Sequence, residues 1–424
     1  MGCRRRAEPR PPPKAGADES LELTLSGMAY GGEAFGRDAG GRMVFVPFAI
    51  PGERVRVRLV EIHEQWARGS LLEVIVSSAD RVAPRCRHFG VCGGCHYQHL
   101  SYPAQLRAKS EIVRAQLQRL GGFASPPVEP TVPSPDPWNT RNHIQFHVSP
   151  EGKLGFQAAG SNRLITIEEC HLPEPALADL WPWLDLGPIP GLQRVVFRSG
   201  SGKEAMIVFE ADTEPEIELA LDLPASVVWL GPGGASVLAG SAALMQDVLG
   251  RIFRVSASSF FQVHSPLAGE LVQRALHALS PEPEEIVFDL YAGVGLFSAF
   301  LAAAGSRVVA IEGSPSACAD FEANLAEFDA VELFEAPVEI ALPTIQATPD
   351  AALVDPPRAG LEREALEALV AAAPRRLVYI SCDPATLARD GKRLAQAGYR
   401  LERVTPIDLF PQTYHIETLS LWLR

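Results

Sequence analysis

Four nearly continuous apolar runs in the C-terminal part of the chain most limit what it can fold into. They lie at 286–290, 307–311, 352–354 and 377–380, and Ala-rich segments of helical composition separate them. Runs this apolar are typical of strands buried on both faces of a parallel sheet. The pattern therefore predicts a doubly wound, Rossmann-like α/β domain over residues 256–424, with two further strands on either side of residues 410–415.

The N-terminal part has a different pattern, in which Gly-rich or Pro-rich turns separate short strand candidates. These candidates lie at 21–25, 43–47, 53–60 and 70–76. Several short strands so close together predict a small OB-like β-barrel over residues 19–78, an architecture that often binds nucleic acids. Residues 1–18 consist largely of Arg, Pro, Ala and Gly, which predicts a disordered basic tail.

Residues 79–255 lie between these two parts and predict a central α+β domain. Strand-like pieces recur there without a recognisable motif of their own. A polar helix over 104–120 is expected to end at Gly121, and the Pro-rich stretch 125–137 is expected to be a linker.

Charge is distributed unevenly along the chain. Residues 1–120 hold 18 Lys and Arg against 12 Asp and Glu, a net charge of +6, whereas residues 121–424 hold 20 against 39, a net charge of −19. The acidic whole argues against indiscriminate polyanion binding, while the basic N-terminal part permits a local nucleic-acid site. Because the sequence has neither a long apolar run nor a secretory signal, we expect a cytoplasmic protein with no membrane contact and no obligate protein partner.

A Gly-rich loop follows the first apolar run. Asp289 lies in that run, Gly293 and Gly295 lie in the loop, and Glu312 follows the second run. Glycines let a ligand approach the backbone closely, and an acid at the end of the second strand can hold the two hydroxyls of a ribose. Because the third glycine of the NAD fingerprint is absent from its usual place, the pattern favours S-adenosylmethionine over NAD.

Two reactive side chains follow the next two apolar runs, Asp355 after one and Cys382 after the other. Ligands of open α/β sheets bind beyond the carboxyl ends of the strands, so both are expected in one crevice with Gly293 and Glu312. A thiolate beside a methyl donor can accept the methyl group itself or activate an unreactive ring carbon. Cys318 lies inside a helical segment instead and is predicted to belong to the core.

Activation of a ring carbon requires a second group near the thiol. Uracil C5 is a weak nucleophile, but a thiolate that attacks C6 makes an enolate whose C5 can take a methyl group. A base must then remove the C5 proton so that the thiolate can leave. Glu417 is one candidate for this base and His415 is its rival, although the local pattern of Glu417 also fits a surface acid on a terminal strand.

Four other cysteines form a candidate metal site. Cys86, Cys92 and Cys95 lie within ten Gly-rich residues, and Cys170 follows far downstream. Four thiolates suit either a zinc ion or an iron–sulfur cluster, and their spacing alone does not separate the two. Neighbouring histidines leave a mixed zinc site open as well.

These motifs resemble, in the same order, those of the S-adenosylmethionine-dependent RNA uracil-C5 methyltransferases, and the resemblance covers nearly the whole chain. Besides the four cysteines, the matching segments are 26–32, 46–53, 259–263, 289–298, 355–358, 381–390 and 410–417. The resemblance implies that the barrel is a TRAM domain that binds RNA. It also implies that Cys86, Cys92, Cys95 and Cys170 hold a [4Fe–4S] cluster rather than zinc.

The resemblance further implies roles for single side chains. The residues implied to contact S-adenosylmethionine are Gln262, Tyr291, Glu312 and Asp355, and the residue pattern adds Gly293. Cys382 is implied to be the nucleophile and Glu417 the base. Members with both a TRAM domain and a cluster often act on bacterial 23S rRNA, so this RNA is the first expected substrate and tRNA the second.

Two positions depart from the family pattern. Asp383 follows the nucleophilic cysteine where the family usually has Asn, and His264 stands where the family often has Asn. An ionised Asp accepts hydrogen bonds but does not donate them, so a contact that needs an amide donor would be lost. The departures concern the placement of the substrate and not the methyl-transfer chemistry.

Two other functions remain open. A methyltransferase for cytosine or for a protein side chain would also use a cysteine, but the stretch 412–417 would then have no inherited role. A non-catalytic RNA-binding iron–sulfur protein would need neither Cys382 nor the intact loop at Gly293.

Overall fold

The N-terminal part of the protein is a closed barrel of five strands. In this computed structural model, which describes residues 20–184, 186–213 and 225–424, the predicted tail at 1–18 lies outside the described residues. The strands are β1 (Ser20–Met28), β2 (Ala34–Arg37), β3 (Met43–Val46), β4 (Arg54–Ile62) and β5 (Trp66–Val76), in the spatial order β1-β2-β3-β5-β4. Alternate side chains fill the interior, among them the buried Leu25, Val44 and Val57. The predicted small barrel is confirmed, although the sequence pattern did not predict the four-residue strand β2.

The central part contains a helix followed by a second sheet. Helix α1 (Tyr102–Gln116) continues as one π-helical turn (Leu117–Gly121) and ends at Gly122, whose φ of 78° is left-handed. The sheet has seven strands in the order β12-β11-β10-β9-β6-β7-β8. These are β6 (His143–Val148), β7 (Leu154–Gln157), β8 (Leu164–Thr166), β9 (Leu192–Ser199), β10 (Ala205–Ala211), β11 (Ala225–Gly231) and β12 (Gly234–Ala239). A short helix α2 (Pro175–Ala178) and a hairpin of β13 (Ala243–Val248) and β14 (Arg251–Ser256) complete this part.

The C-terminal part is a doubly wound sheet in the order β17-β16-β15-β18-β19-β21-β20, as predicted. Its strands are β15 (Ile286–Leu290), β16 (Arg307–Glu312), β17 (Val331–Glu335), β18 (Ala351–Val354), β19 (Arg376–Ser381), β20 (Arg400–Ile407) and β21 (Glu417–Leu423). Its helices are α3 (Ser265–Leu279), α4 (Leu296–Ala303), α5 (Pro315–Leu325), α6 (Val338–Ala341), α7 (Arg363–Ala372) and α8 (Pro384–Gln396). The first five strands are parallel, and β21 runs antiparallel to both β19 and β20. The edge strand β17 was missed because its side chains are only half-buried or exposed.

The Pro-rich stretch at 125–137 is not the free linker that its composition predicts. Val128 and Val132 form bridges to Val404 and Ile407 of β20, and the backbone N–H of Val132 donates to the carbonyl of Pro406 at 2.8 Å. An edge strand exposes unpaired backbone groups that favour such pairing. The stretch therefore extends the C-terminal sheet by short bridges.

Helix α1 joins the barrel to the C-terminal domain. Its buried residues Ala104, Ile112 and Val113 belong to one apolar core that also includes the barrel interior and one face of the C-terminal sheet. A second core fills the other face of that sheet. Within the described residues, no helix is both long and apolar enough to cross a membrane.

Candidate active site

The loop between β15 and α4 has an open and partly strained backbone. Tyr291 has a φ of 65°, a left-handed value that a side chain makes unfavourable and that is typical of functional sites. Gly295 also has a positive φ, and a Cβ there would lie 2.3 Å from Cδ1 of Leu325, so this position needs glycine. At Gly293 no atom lies within 4 Å of where a Cβ would be, so the backbone faces open space. A ligand can approach the chain at that point.

Glu312 lies against this loop, as its place at the end of β16 predicts. One carboxylate oxygen accepts a hydrogen bond from the N–H of Gly293 at 2.9 Å, and the other accepts from the N–H of Ser314 at 2.7 Å. The structure thus brings together two of the residues that the sequence assigns to the cofactor site.

Asp355 and Gln262 meet on the neighbouring side of the crevice. The Gln262 amide nitrogen lies 3.4 Å from Oδ2 of Asp355, and the Gln262 backbone carbonyl accepts from Nδ2 of Asn142 at 3.0 Å. Burial, reinforced by the charge of Asp289, raises the pKa of Asp355. Burial also raises the pKa of Asp289 to about 7, and its Oδ2 accepts from the Ser298 hydroxyl at 2.6 Å. Burial therefore favours the protonated forms of Asp289 and Asp355.

Cys382 and Glu417 lie opposite each other at the ends of adjacent strands. The antiparallel register of β19 and β21 pairs Ser381 with Thr418, so the next residues beyond that pair are Cys382 and Glu417. Cys382 is half-buried, and Glu417 is only 5% exposed. Burial and the charge of Glu417 raise the pKa of the thiol to about 12. Burial and the charge of Asp355 likewise hold the pKa of Glu417 well above its ordinary value.

Arg358 is the charged partner that the sequence analysis did not single out. Its guanidinium lowers the pKa of both Cys382 and Glu417, in opposition to the larger effect of burial. It also lies 3.3 Å from Nδ1 of His415, and it helps burial to lower the pKa of that imidazole to about 3. The two candidates for the base therefore differ in their contacts, because the charge of Glu417 raises the pKa of the thiol whereas His415 lies against Arg358. The one signal in the sequence that could have identified Arg358 was its position three residues after Asp355.

Both departures from the family pattern begin helices. Oδ1 of Asp383 accepts from the N–H of Ala385 at 2.8 Å at the start of α8, and its Oδ2 accepts from the Tyr30 hydroxyl at 3.0 Å. Nδ1 of His264 accepts from the N–H of Leu267 at 3.3 Å at the start of α3. Each side chain therefore acts as an N-cap, a role that needs an acceptor and not a donor.

The four predicted metal-site cysteines lie around one cavity of about 240 Å³. They are Cys86, Cys92, Cys95 and Cys170. Its wall also contains Val263, directly after Gln262, and Phe410, in the loop before Glu417. The N–H of His88 donates to one of the sulfurs at 3.4 Å, and the N–H of Gly94 to another at 3.3 Å. Across the described residues, no group of three or more His, Cys, Asp or Glu side chains lies close enough together to hold a metal ion as it stands.

Comparisons with known proteins agree with this geometry. A family model described as TRAM domain matches residues 19–72, and one described as tRNA (Uracil-5-)-methyltransferase matches residues 339–424. An uncharacterized RNA methyltransferase of Aquifex aeolicus is 35% identical over 422 residues, which cover 95% of this chain and 98% of the relative. One of Streptomyces avermitilis is 33% identical over 425 residues, with the same coverage of both chains.

The fold also matches a solved structure over nearly all of the chain. Pyrococcus abyssi tRNA (uracil-54, C5)-methyltransferase in complex with S-adenosyl-L-homocysteine is 26% identical, with a TM-score of 0.74 over 95% of this chain and 100% of the other. Three findings indicate the same family. The TRAM model matches the barrel, a thiol and a carboxyl group lie at adjacent strand ends, and the relatives have nearly the same length as this chain. The chain belongs to the TRAM-containing family of RNA uracil-C5 methyltransferases.

Proposed function

We propose that this protein transfers a methyl group from S-adenosylmethionine to C5 of a uridine in RNA through a covalent bond between Cys382 and uracil C6. The observation that carries the proposal is the register of β19 and β21, which sets Cys382 opposite Glu417 beside Asp355. The domain division into 1–18, 19–78, 79–255 and 256–424 is part of the proposal, with the barrel as an RNA-binding domain.

The proposed reaction uses two side chains in sequence. The Cys382 thiolate adds to C6, which makes an enolate, and C5 then forms its bond to the methyl group as the bond between that methyl group and the sulfonium sulfur breaks, which leaves S-adenosylhomocysteine. Glu417 removes the proton that remains on C5, and the bond between C6 and sulfur breaks to release 5-methyluridine and the thiolate. Burial raises the pKa values of the thiol and of Glu417 and so favours their protonated forms, while the charge of Arg358 favours their ionised forms.

For the methyl donor, we propose a site formed by Gln262, Tyr291, Gly293, Glu312 and Asp355. S-adenosylmethionine supplies an activated methyl group on a sulfonium. The residues fit such a ligand because the Gly293 backbone faces open space and Glu312 adjoins it as a carboxylate suited to ribose hydroxyls. Binding of S-adenosylhomocysteine by the Pyrococcus abyssi enzyme supports the same site here.

For the four thiols, we propose a [4Fe–4S] cluster, with zinc as the alternative. A tetrahedral zinc site draws four sulfurs to about 2.3 Å from one ion, whereas these thiols surround a cavity of about 240 Å³. The methyl transfer exchanges no electron, so the proposed role of the cluster is to support the structure or to position the RNA, and not redox chemistry. Iron, acid-labile sulfide and zinc measured in anaerobically purified protein separate the two metals, and zinc without sulfide would refute the cluster.

For the substrate, two RNAs compete. Bacterial 23S rRNA follows from the joint presence of the barrel and the four thiols, and tRNA follows from the specificity named for the Pyrococcus abyssi enzyme. We propose 23S rRNA first and tRNA second.

The decisive experiment offers unmodified 23S rRNA and unmodified tRNA separately with methyl-labelled S-adenosylmethionine. Digestion and mass spectrometry then locate the label. Label in 5-methyluridine from 23S rRNA supports the first substrate, and label from tRNA alone supports the second. Label in a nucleoside other than 5-methyluridine would overturn the proposed reaction and favour a methyltransferase for another target, such as cytosine. No label with intact protein would overturn it in favour of a non-catalytic RNA-binding protein.

Two variants test the proposed chemistry itself. Cys382→Ala is expected to lose activity without loss of fold, because no other group forms the bond to C6. Glu417→Gln is expected to form a methylated RNA–protein adduct that survives denaturing electrophoresis, because the C5 proton stays in place and the thiolate cannot leave. An active Cys382→Ala protein would refute the covalent route, and full turnover by Glu417→Gln would refute the assignment of the base.

A further inference from the structure

The adjacent residues Arg389 and Asp390 of α8 belong to a segment that matches the family pattern, yet the proposed reaction gives them no role. Asp390 is fully buried. Its Oδ2 accepts from the backbone N–H of Leu361 at 3.0 Å and from the Tyr379 hydroxyl at 2.9 Å. Arg389 donates to the same carboxylate through Nε at 2.8 Å and through Nη2 at 3.1 Å. A buried carboxylate needs such donors, so this one ties the loop after β18 to α8 and β19.

The loop after β18 carries Arg358, and α8 holds the backbone directly behind that residue. Arg389 donates through Nη2 to the carbonyl of Ala359 at 2.7 Å. Gly360 comes next and has a φ of 77°, a left-handed value. A Cβ there would collide with Oδ2 of Asp390 and lie 2.6 Å from Nη2 of Arg389. The glycine therefore lets the loop approach α8 this closely.

Arg358 is the basic group that acts on the reactive thiol. Burial has the largest effect on the pKa of Cys382 and raises it, the charges of Glu417 and Asp355 raise it further, and the charge of Arg358 lowers it. The pKa of Glu417 is likewise raised by burial and by Asp355 and lowered by Arg358. Asp383 directly follows the thiol, and its oxygens accept hydrogen bonds at the start of α8 and from the barrel.

The position of Arg358 depends on the loop backbone. The residue is exposed, so packing around its own side chain does not fix it. The interaction between two charges weakens as the distance between them grows. A shift of the loop away from α8 therefore changes how strongly Arg358 favours the ionised forms of Cys382 and Glu417.

We propose that Arg389 and Asp390 are positioning residues of the methyl transfer, which fix Arg358 beside Cys382 and Glu417 through the backbone of the loop after β18. This inference rests on the proposed reaction and deepens it, because the reaction uses both groups in their ionised forms. Helix α8 then has two tasks, since it begins beside the thiol and its later residues hold the loop that carries the cation.

The test follows alkylation of Cys382 by iodoacetamide in the full chain, without RNA or methyl donor. Only the thiolate reacts. Gly360→Ala keeps every charge but forces the loop away from α8, and it is expected to slow alkylation of the Cys382 peptide about threefold or more at mildly alkaline pH, because Arg358 moves away from the thiol. Gly398→Ala is the matched control, since φ there is also left-handed, at 96°, but no atom lies within 4 Å of a Cβ.

A second variant acts on the same contact from α8. Arg389→Met removes the donor to Ala359 from an exposed side chain, and it is also expected to slow alkylation. Lys392→Met removes another exposed charge from the same helix and is its control. In an Arg358→Met background, neither Gly360→Ala nor Arg389→Met is expected to slow alkylation further, because the charge that they displace is already absent.

The direction of the change separates positioning from loss of structure. Loss of structure would expose the Cys382 thiol and relieve the burial that raises its pKa, so it would speed alkylation. Unchanged or faster alkylation in both Gly360→Ala and Arg389→Met would overturn the inference. Equal slowing with and without Arg358 would overturn it as well.

Methylation assays keep this inference distinct from the proposed function. If both hold, Gly360→Ala lowers kcat severalfold and leaves the KM for RNA nearly unchanged, because no RNA contact is removed. A protein that methylates no uridine but shows the expected alkylation rates would refute the proposed function and keep the positioning role. Normal kcat together with unchanged alkylation in Gly360→Ala would refute the positioning role and keep the function.

Discussion

The two unusual residues beside the proposed site have a local structural purpose. Asp383 caps α8 with one oxygen and accepts from Tyr30 with the other, while His264 caps α3 and lies 2.7 Å from the hydroxyl of Ser134 through Nε2. Both roles use acceptors, which Asp and a neutral His provide as well as Asn does. Asp383 and His264 are therefore compatible with the proposed reaction as it stands.

The cap predicts how substitutions at position 383 behave. Asp383→Asn is expected to retain stability and activity within a few-fold, because its carbonyl oxygen can still accept from the N–H of Ala385. Asp383→Ala is expected to lose about 1 kcal/mol of unfolding free energy, because the first turn of α8 loses its acceptor. Thermal unfolding and labelled-methyl assays check both, and a large loss of activity in the Asn variant would show that the charge itself is needed.

The raised pKa of Cys382 predicts a steep pH dependence of its reactivity. Only the thiolate reacts with iodoacetamide, and its fraction grows about tenfold per pH unit while the pH stays below the pKa. Since this pKa is raised to about 12, the alkylation rate of the Cys382 peptide is expected to rise throughout the neutral and mildly alkaline range.

Arg358→Met is expected to slow this alkylation throughout the neutral and mildly alkaline range, because loss of the positive charge raises the pKa of the thiol further. Lys392→Met removes an exposed charge on α8 and is the matched control. Mass spectrometry of the Cys382 peptide gives both rates. Equal rates in the Arg358 and Lys392 variants would contradict the proposed electrostatic role.

At the scale of elements, a buried lysine of α1 holds the loop between β20 and β21. The Lys109 ammonium donates to Oδ1 of Asp408 at 2.5 Å and to the carbonyls of Phe410 and His415 at 3.0 and 2.8 Å. Lys109 and Asp408 are both fully buried. A helix outside the C-terminal sheet therefore fixes both ends of the loop that leads into Glu417.

Lys109→Met is expected to cost about 3–5 kcal/mol of unfolding free energy, because it leaves a buried charge without its partner. In the fraction that stays folded, the denaturation-resistant RNA adduct is expected to accumulate, because Glu417 loses its support. The exposed pair Arg363–Glu367 supplies the control, since Arg363→Met should change stability by less than about 1 kcal/mol.

A double variant distinguishes an effect of Lys109 on stability from an effect on the position of Glu417. Lys109→Met combined with Asp408→Leu is expected to recover much of the stability, because an apolar pair can replace a buried ion pair. The two loop carbonyls still lack their donor, so the adduct is expected to persist. Disappearance of the adduct together with recovered stability would show that Lys109 acts on stability alone.

At the scale of the whole molecule, the barrel and the C-terminal domain share one core through α1. A defect in the barrel is therefore expected to reach the sheet that carries Cys382. Leu25→Ala, at a position only 1% exposed, should cost about 2–5 kcal/mol and speed hydrogen exchange in β15 and β19 as well as in the barrel. Val60→Ala, at a position 56% exposed, is the control. Faster exchange confined to the barrel would contradict the shared core.

Local patterns in the chain were sufficient to place most elements and motifs. Apolar runs identified the strands β15, β16, β18 and β19, because burial on both faces leaves a signal within each run. The same local reasoning identified the Gly-rich loop and the strand-end positions of Glu312, Asp355 and Cys382. It failed for β2 and β17, which are short or only half-buried, and for the Pro-rich stretch at 125–137, whose partner strand is distant in sequence.

The sequence by itself determined which reactive groups the chain carries and on which strand ends they stand, because side-chain periodicity is a local property. Only the tertiary structure decided which groups meet. The register of β19 and β21 set Glu417 opposite Cys382, and Arg358 lies near both from another loop. Lys109 contacts Asp408, which is 299 residues away in the sequence. The free energy of such contacts depends on burial and distance after folding, and neither is encoded within any single stretch of sequence.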